Sequence, residues 1–265
     1  MEIASGRPPL RLAVLGSGSG GNAVVIESEG HRILLDAGFS CRELETRLKA
    51  VGVSPSSLQA LILTHEHIDH SRGAGRLAKR HKLPVYATAG TLEGIRLPAG
   101  TPTVVLRSGE PCEAAGFLVE PFTLPHDARE PVGFMVQDGA GRRVGLAADL
   151  GSRTQLAWAR LGELDALLLE TNHDLDMLRN GPYPWSLKQR VAGRHGHLSN
   201  REAAEGLAEL LCDRLRQVVL YHLSRTNNLP ALAAAAIGEI LDRERCGALL
   251  TLCDQFQPTP WLEVT

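Results

Sequence analysis

Between Thr64 and His70 the chain reads THEHIDH, which sets His65, His67, Asp69 and His70 within six residues. The segment follows ALILT, a continuous apolar run of the kind that forms a buried strand. His65 and His67 alternate with Glu66, so an extended chain turns both to one side; a bend after them lets Asp69 and His70 face a second position. Imidazole nitrogen and carboxylate oxygen are the donors that borderline metals such as zinc take. A lone HxH would carry little weight. HxHxDH at the end of an apolar strand points to a metal centre.

A catalytic pair of metals needs more donors, and three stand in comparable places. His126 ends FTLPH, Asp149 ends GLAAD and His222 ends VVLYH. Each is a polar residue directly after an apolar run. Singly, each reads as a surface turn residue or a satisfied histidine; beside the first motif, their shared position makes them candidate ligands. Two metals about 3.5–4 Å apart share a water, lower its pKa and give a bridging hydroxide as nucleophile. No serine or cysteine stands in an obvious triad. The chemistry therefore reads as hydrolysis, with ester, amide, thioester and phosphodiester all open.

These residues need strands to carry them. LRLAVLG reads as a strand, and AVVIE and RILLD read as a hairpin around SEGH. A helix is expected from Ser40 to Val51, with Leu44 and Leu48 on one face. A short helix in GAGRLAKRHK and a strand in PVYAT follow. GFLVEPFTLPH, VGFMVQ and RRVGLAAD give three more strands, the last two joined by DGAG. ALLLE and QVVLYH are further strands, and helices are expected over Asn200–Cys212 and Leu229–Arg243. No linker, low-complexity tract or repeat divides the chain. One domain spanning 1–265 is expected, with packed sheets and outer helices.

GSGSGGN at Gly16–Asn22 matches the GxGxxG spacing of dinucleotide-binding loops, and Asp36 sits where a ribose-binding acid would stand. That motif requires a helix to start at the loop, so that its N–H groups face the pyrophosphate. Here the loop runs into AVVIE, which is strand-like, and no Lys-Ser/Thr follows. It reads as a tight turn that needs glycine dihedrals, with Asn22 able to look into a site beside it.

Composition sets outer bounds. Apolar residues make up 43% and charged residues 22%, which suits an ordinary globular core. The net charge of −2 supplies no global field toward nucleic acid or membrane, so a polyanion must be held by a local patch. The five cysteines are odd in number and scattered, with no CxxC, against a disulfide framework and for a reducing compartment. MEIASGRPPLRLAVLG shows neither a signal peptide nor a membrane span, so a cytoplasmic protein is expected.

HxHxDH followed by a later His, an Asp and a final His resembles the metallo-β-lactamase-fold hydrolases, over nearly the whole chain from GSGSGGN to YHLSRTNN. The resemblance implies an α/β fold, an αββα sandwich with the metal site at one edge of two packed sheets. By it, His65, His67 and His126 hold one divalent metal, and Asp69, His70 and His222 hold the other. Asp149 bridges them. Zinc or manganese is implied, with iron also possible. DAGFS resembles the family's DxG turn, which implies a role for Asp36 behind the ligands, with a purely structural role as the alternative. GSGSGGNA, LLDAGFSCRELETRL, LTHEHIDH, LETNHDLDML, GHLSN and YHLSRTNN together resemble the YycJ-like (WalJ) group, which is associated with DNA exonuclease activity. No long insertion like the β-CASP domain of related nucleases is visible.

The substrate clue lies in RVAGRHGHLSNREAAEGL, where Arg190, Arg194, His195 and His197 precede a helix. Ser199 is a plausible N-cap, with Glu202 completing a capping box. A helix start beside basic residues suits phosphate, and Arg194, His197, Ser199, Asn200 and Ser224 are the candidate phosphate ligands. Ordinary capping beside a solvated basic turn is the plain alternative. Asp69 and His173 are the candidate catalytic groups, His173 as a proton donor or else as a buried, hydrogen-bonded residue. The reading is thus a dinuclear phosphodiesterase acting on DNA, a 5′-to-3′ exonuclease by resemblance. Hydrolysis of a small phosphodiester or thioester is the alternative. Iron redox chemistry fits less well, since the di-iron oxygen reductases of this fold resemble HxExDH where this chain has His67, and a scaffold without metals does not fit a full ligand set.

Overall fold

The computed structural model describes residues 8–264. The expectation of no N-terminal leader falls in part on residues 1–7, outside the described residues. Among the described residues no helix is long and apolar enough to cross a membrane.

Strand faces decide the architecture. Along β1 (Leu10–Gly16), Leu10, Leu12 and Val14 enter one buried cluster while Ala13 and Leu15 enter another. The same alternation splits β2 (Ala23–Ser28) and divides β3 (His31–Leu35) and β4 (Ala60–Ile62). A strand with both faces buried must read as a continuous apolar run, which is why AVVIE and ALILT look as they do. These four strands, with β5 (Val85–Thr88) and β6 (Thr103–Leu106), form a first sheet. The second sheet runs through β7 (Cys112–Ala114), β8 (Phe117–Thr123), β9 (Val132–Gln137), β10 (Arg143–Ala147), β11 (Ala166–Glu170), β12 (Gln217–Tyr221) and β13 (Leu249–Leu252). Finally β14 (Leu262–Val264) pairs antiparallel with β1 and completes seven strands in the first sheet.

One apolar cluster is shared by the inner faces of both sheets, where Val14, Ile26 and Ile62 join Phe117, Phe134 and Leu168. A second lies outside the second sheet under the helices Gln155–Arg160, Asn200–Leu210 and Pro230–Arg243. A third lies outside the first sheet under Cys41–Ala50 and Ala74–His81. Helix, sheet, sheet, helix is the αββα order.

Strand direction then gathers the polar ends. β10, β11 and β12 run parallel, and β8 shares their direction because it is antiparallel to β9, which is antiparallel to β10. Their C-terminal ends therefore open on one edge of the second sheet. In the first sheet β3 and β4 are also parallel, so Asp36 and Thr64 emerge together.

The hairpins form as expected. Ser28 pairs with His31 across Glu29 and Gly30, both at positive φ, as a tight two-residue hairpin turn requires. Ser40 caps the helix Cys41–Ala50 by accepting from the Glu43 N–H at 3.2 Å. The capping box of Ser199 and Glu202 is present. The strands themselves stop short of the polar residues: β8 ends at Thr123 and β10 at Ala147, leaving His126 and Asp149 on loops.

Candidate metal centre

After β4 the chain leaves the sheet at Leu63 and turns into a short helix, Ile68–Ser71, whose N-cap is His67. That turn separates His65 and His67 from Asp69 and His70. Three other site residues, Asp36, Asp149 and His222, have φ of 59°, 53° and 57°. Left-handed backbone is uncommon for residues other than glycine. At the end of a strand it breaks the pleat, which would otherwise hold the side chain perpendicular to the sheet, and lets it reach over the edge.

The nitrogens of His65, His67 and His126 all lie within 4.8 Å of one another, as do the donors of Asp69, His70 and His222. A third group of the same compactness, His65, His70 and Asp149, joins the two. Partners behind the rings fix which nitrogen faces inward. His126 Nδ1 lies 3.1 Å from the Gly196 carbonyl, and His126 Nε2 lies 3.3 Å from His67 Nδ1. His65 Nδ1 is 3.0 Å from the Thr64 hydroxyl, which leaves Nε2 buried with no hydrogen-bond partner among the described residues. His70 Nδ1 meets Asp36 Oδ2 at 2.7 Å, while its Nε2 lies 2.7 Å from Asp149 Oδ2 and 3.8 Å from Asp69 Oδ2. His222 Nδ1 is 3.1 Å from Glu170 Oε1, and its Nε2 is 3.4 Å from Asp69 Oδ2.

With Nδ1–H of His65, His70 and His126 directed at acceptors, lone pairs of nitrogen and oxygen point into one small volume. Lone pairs repel unless a cation lies between them, and imidazole with carboxylate is the donor set of divalent metals. The residues present therefore fit divalent metal binding.

The electrostatics divide the cluster. Burial, then the charge of His70, pushes the pKa of His65 well below the ordinary imidazole value. Burial lowers His126 as well. Burial also opposes charge on His70 and His222, but there carboxylates win. Asp149 and Asp36 raise His70 well above its usual value, and Asp149, Asp69 and Glu170 push His222 up to about 10. Burial would raise Asp149, yet His222 and His70 hold it well below the carboxylate range.

The sequence profile of the Beta-lactamase superfamily domain matches residues 31–223. Exodeoxyribonuclease YycJ of Bacillus anthracis is 33% identical over 90% of this chain and 91% of that protein. Exodeoxyribonuclease WalJ of Streptococcus pneumoniae is 32% identical over 84% of this chain and 85% of that one. The chain belongs to the metallo-β-lactamase superfamily. It is a hydrolase of that fold, in the group of YycJ and WalJ. The crystal structure of the metallo-β-lactamase fold protein YhfI from Bacillus subtilis matches with a TM-score of 0.74 at 20% identity, over 95% of this chain and 99% of that one, a likeness of fold.

The glycine loop of this metallo-β-lactamase-fold hydrolase braces the site. Ser17 Oγ accepts the His222 N–H at 2.7 Å, and Asn22 Nδ2 lies 3.1 Å from His70 Nε2. Gly38 has no space for a side chain, since a Cβ there would sit 1.7 Å from the Asp69 carbonyl oxygen.

The candidate phosphate and catalytic residues separate into two sets. Asp69, His197 and Ser224 line the pocket with the metal-site donors. Ser224 Oγ accepts from the N–H groups of Thr226 and Asn227 and keeps its own proton to donate. Ser199, Asn200 and His173 are off the lining and buried. Ser199 Oγ is engaged with Glu202, and Asn200 exchanges side-chain hydrogen bonds with Asn228 at 2.8 Å in both directions. The polar groups of Ser199 and Asn200 are thus spent inside the fold, which leaves them no hand for phosphate. His173 forms a bridge beside Ser199, does not line the pocket, and has neither ring nitrogen hydrogen-bonded among the described residues. Arg194 is exposed and also off the lining.

Glu170 went unremarked in the sequence. It is fully buried at the end of β11, where one oxygen accepts from the N–H groups of Leu150 and Leu198 and the other contacts His197 Nδ1 at 2.7 Å. Burial would raise its pKa, but the charges and hydrogen bonds of His197 and His222 bring it down to about 2. The same pairing raises His197 against its own burial. The signal was available, because Glu170 is a polar residue directly after an apolar run, as Asp149 and His222 are. Asp127, which lines the pocket and pairs with Arg190, was also passed over.

Proposed function

We propose that this chain is a two-metal phosphodiesterase that degrades DNA from an end, in the 5′-to-3′ direction, and works in the cytoplasm. The observation that carries the reading is the pair of donor triads joined through Asp149 beside a carboxylate-backed histidine, Glu170–His197. His65, His67 and His126 would hold one cation, Asp69, His70 and His222 the other, with Asp149 between. Two such cations supply a water of lowered pKa and neutralise charge on a phosphoryl group. Asp69, more exposed than Asp149 or Glu170, would orient such a water. The names of the two exodeoxyribonuclease relatives support DNA as the substrate.

His197 takes the part that sequence reasoning gave to His173. Its Nδ1 is tied to Glu170, and that carboxylate holds its pKa above the ordinary imidazole value against its own burial, so Nε2–H can pass a proton to the leaving oxygen. Ser224 and Asn227 stand on the same wall to receive a phosphate. Both polar atoms of the buried Asn227 side chain lack a hydrogen-bond partner among the described residues.

The test uses metal-loaded protein on linear and circular DNA, RNA, a p-nitrophenyl phosphodiester and a small thioester. Release of nucleotides from linear DNA alone supports the reading. Rapid thioester cleavage with inert DNA sinks it. His197→Ala should slow DNA cleavage by about 10²–10⁴-fold with metal content intact, and slow the p-nitrophenyl diester far less, because that leaving group needs no proton. Equal losses on both substrates would remove His197 from proton transfer.

A further inference from the structure

The helix Trp185–Val191 serves as a wall for two concavities. Arg190 and Val191 line the metal pocket. Trp185 and Lys188, with the spacing of one helix face, line a second groove of about 440 Å³, within the size range of small-ligand pockets, about 300–1,000 Å³. Its other side is the helix Leu175–Asn180, which contributes Leu175, Leu178 and Arg179.

The three tryptophans differ in how they are used. Trp158 is buried and its indole N–H donates to the Gly206 carbonyl; that of Trp261 donates to the Val51 carbonyl. Trp185 is 70% exposed and its indole makes no hydrogen bond among the described residues. Charge around it is positive and unspent. The Arg179 guanidinium has no carboxylate partner among the described residues, and Lys188 Nζ meets only the Arg179 carbonyl, at 2.8 Å. Asp176 is the single acid on the lining and pairs with neither. An exposed indole over an apolar floor, flanked by two unneutralised cations, complements a flat base with a phosphate attached. An apolar peptide would leave both cations unmatched. The groove is also continuous with the site: one helix, about 10 Å across, separates it from the metal pocket. About two or three nucleotides cover that gap, at ~3.4 Å each when stacked.

We propose that this groove is a stacking subsite for an unpaired nucleobase of the substrate strand, a few nucleotides from the phosphodiester in the metal pocket. Trp185 is the platform, and Arg179 and Lys188 hold the adjoining phosphate. The proposal rests on the phosphodiesterase reading above. It implies a strand that is single where it crosses the helix, and little base preference, since every base offers a π face.

The test is steady-state cleavage of single-stranded oligonucleotides in which one abasic position is moved stepwise from the cleaved end. In the natural protein one position should raise KM about tenfold when its base is removed. Trp185→Ala should raise KM on the intact strand by a similar factor and lose the dependence on that position, with metal content unchanged. Trp185→Phe should restore most of it. A flat abasic scan with equal KM in all three proteins overturns the subsite. So does a change of oligomeric mass in the Ala variant without a change in KM, which would make the groove a contact between copies. If no oligonucleotide is cleaved while the p-nitrophenyl diester is, the nucleic-acid reading falls and the subsite with it, an outcome distinct from the flat scan.

Discussion

The two donor triads use the same chemistry with different support. In one, His65 rests on the Thr64 hydroxyl and His126 on the Gly196 carbonyl, both neutral. In the other, His70 rests on the Asp36 carboxylate and His222 on Glu170. Neutral support and burial leave the first pair of rings neutral, while carboxylate support raises the second pair above their usual pKa. A neutral ring is ready for a cation. A charged ring must first give up its proton, yet once it has, the carboxylate behind it makes it the better donor. The first triad is thus built for easy filling, the second for filling that depends on pH and is then strong.

Asp149 is where the comparison breaks, because it contacts rings of both triads: His65 at 3.8 Å, His70 at 2.7 Å and His222 at 3.3 Å. Asp149→Ala should lose metal from both and lower hydrolysis about a thousandfold or more, the loss of several kcal/mol of charge stabilisation. Elemental analysis after reconstitution with excess Zn²⁺ or Mn²⁺ checks it. Two metals per chain and full activity in the variant would overturn the ligand assignment.

The next effect is the order of loading. His222 has its pKa pushed up to about 10, so below that pH it carries a proton that a cation must displace. Rising pH therefore favours metal in the second triad, by about tenfold in affinity per unit for one displaced proton. From pH 6 to 8 the His222 proton alone accounts for about a hundredfold, and His70, also raised well above its usual value, steepens the slope further. In the first triad burial depresses the pKa values of His65 and His126, which lowers the number of protons a cation must displace there, so the slope should be shallower. Calorimetric titrations in buffers of different ionisation enthalpy would count the protons. Two equal slopes would erase the distinction.

Much of this centre was legible because a ligand after a buried strand interrupts an apolar run. THEHIDH, FTLPH, GLAAD and VVLYH all show that break, and the structure brings their polar ends to one edge. Glu170 shows it too, but ALLLE reads as a strand ending in an ordinary charged residue, and nothing local reveals that its carboxylate is buried. His173 misled for the opposite reason: a histidine three residues past a strand suggests a site, but the chain there turns under the start of the helix Asn200–Leu210. Short and half-exposed elements escaped altogether. Cys112–Ala114 and Leu262–Val264 are three residues long, and the helix Trp185–Val191 buries none of its residues, so neither offers an apolar period to read. Their places are set by pairing and packing with distant parts of the chain.

A smaller effect sharpens the comparison. Asp36→Asn keeps the shape behind His70 and removes the charge. It should weaken metal in the second triad by about tenfold, the lower end for groups that orient ligands, and leave the first triad nearly unchanged. A competing chelator with metal in slight excess would resolve the two sites. An equal loss at both would mean that Asp36 supports the whole edge as a structural unit.

Thr64 should give the smallest change, because it is the one link between the two kinds of support. Its hydroxyl lies 3.0 Å from each Asp36 oxygen and 3.0 Å from His65 Nδ1. Donating to the carboxylate leaves its oxygen to accept from the ring, so Asp36 reaches His65 only through a neutral intermediary. Thr64→Val keeps the volume and cuts that relay. The backbone N–H of residue 64 still donates to Asp36 Oδ1, at 2.8 Å, so the carboxylate stays in place behind His70. The first triad should then lose a few-fold in metal affinity and the second almost none, the mirror image of Asp36→Asn. Folding should lose about 1–3 kcal/mol, because the His65 N–H is left buried without an acceptor. Chelator competition and thermal unfolding on one preparation measure both. A loss confined to the second triad would show that Thr64 acts by holding Asp36 rather than by orienting His65.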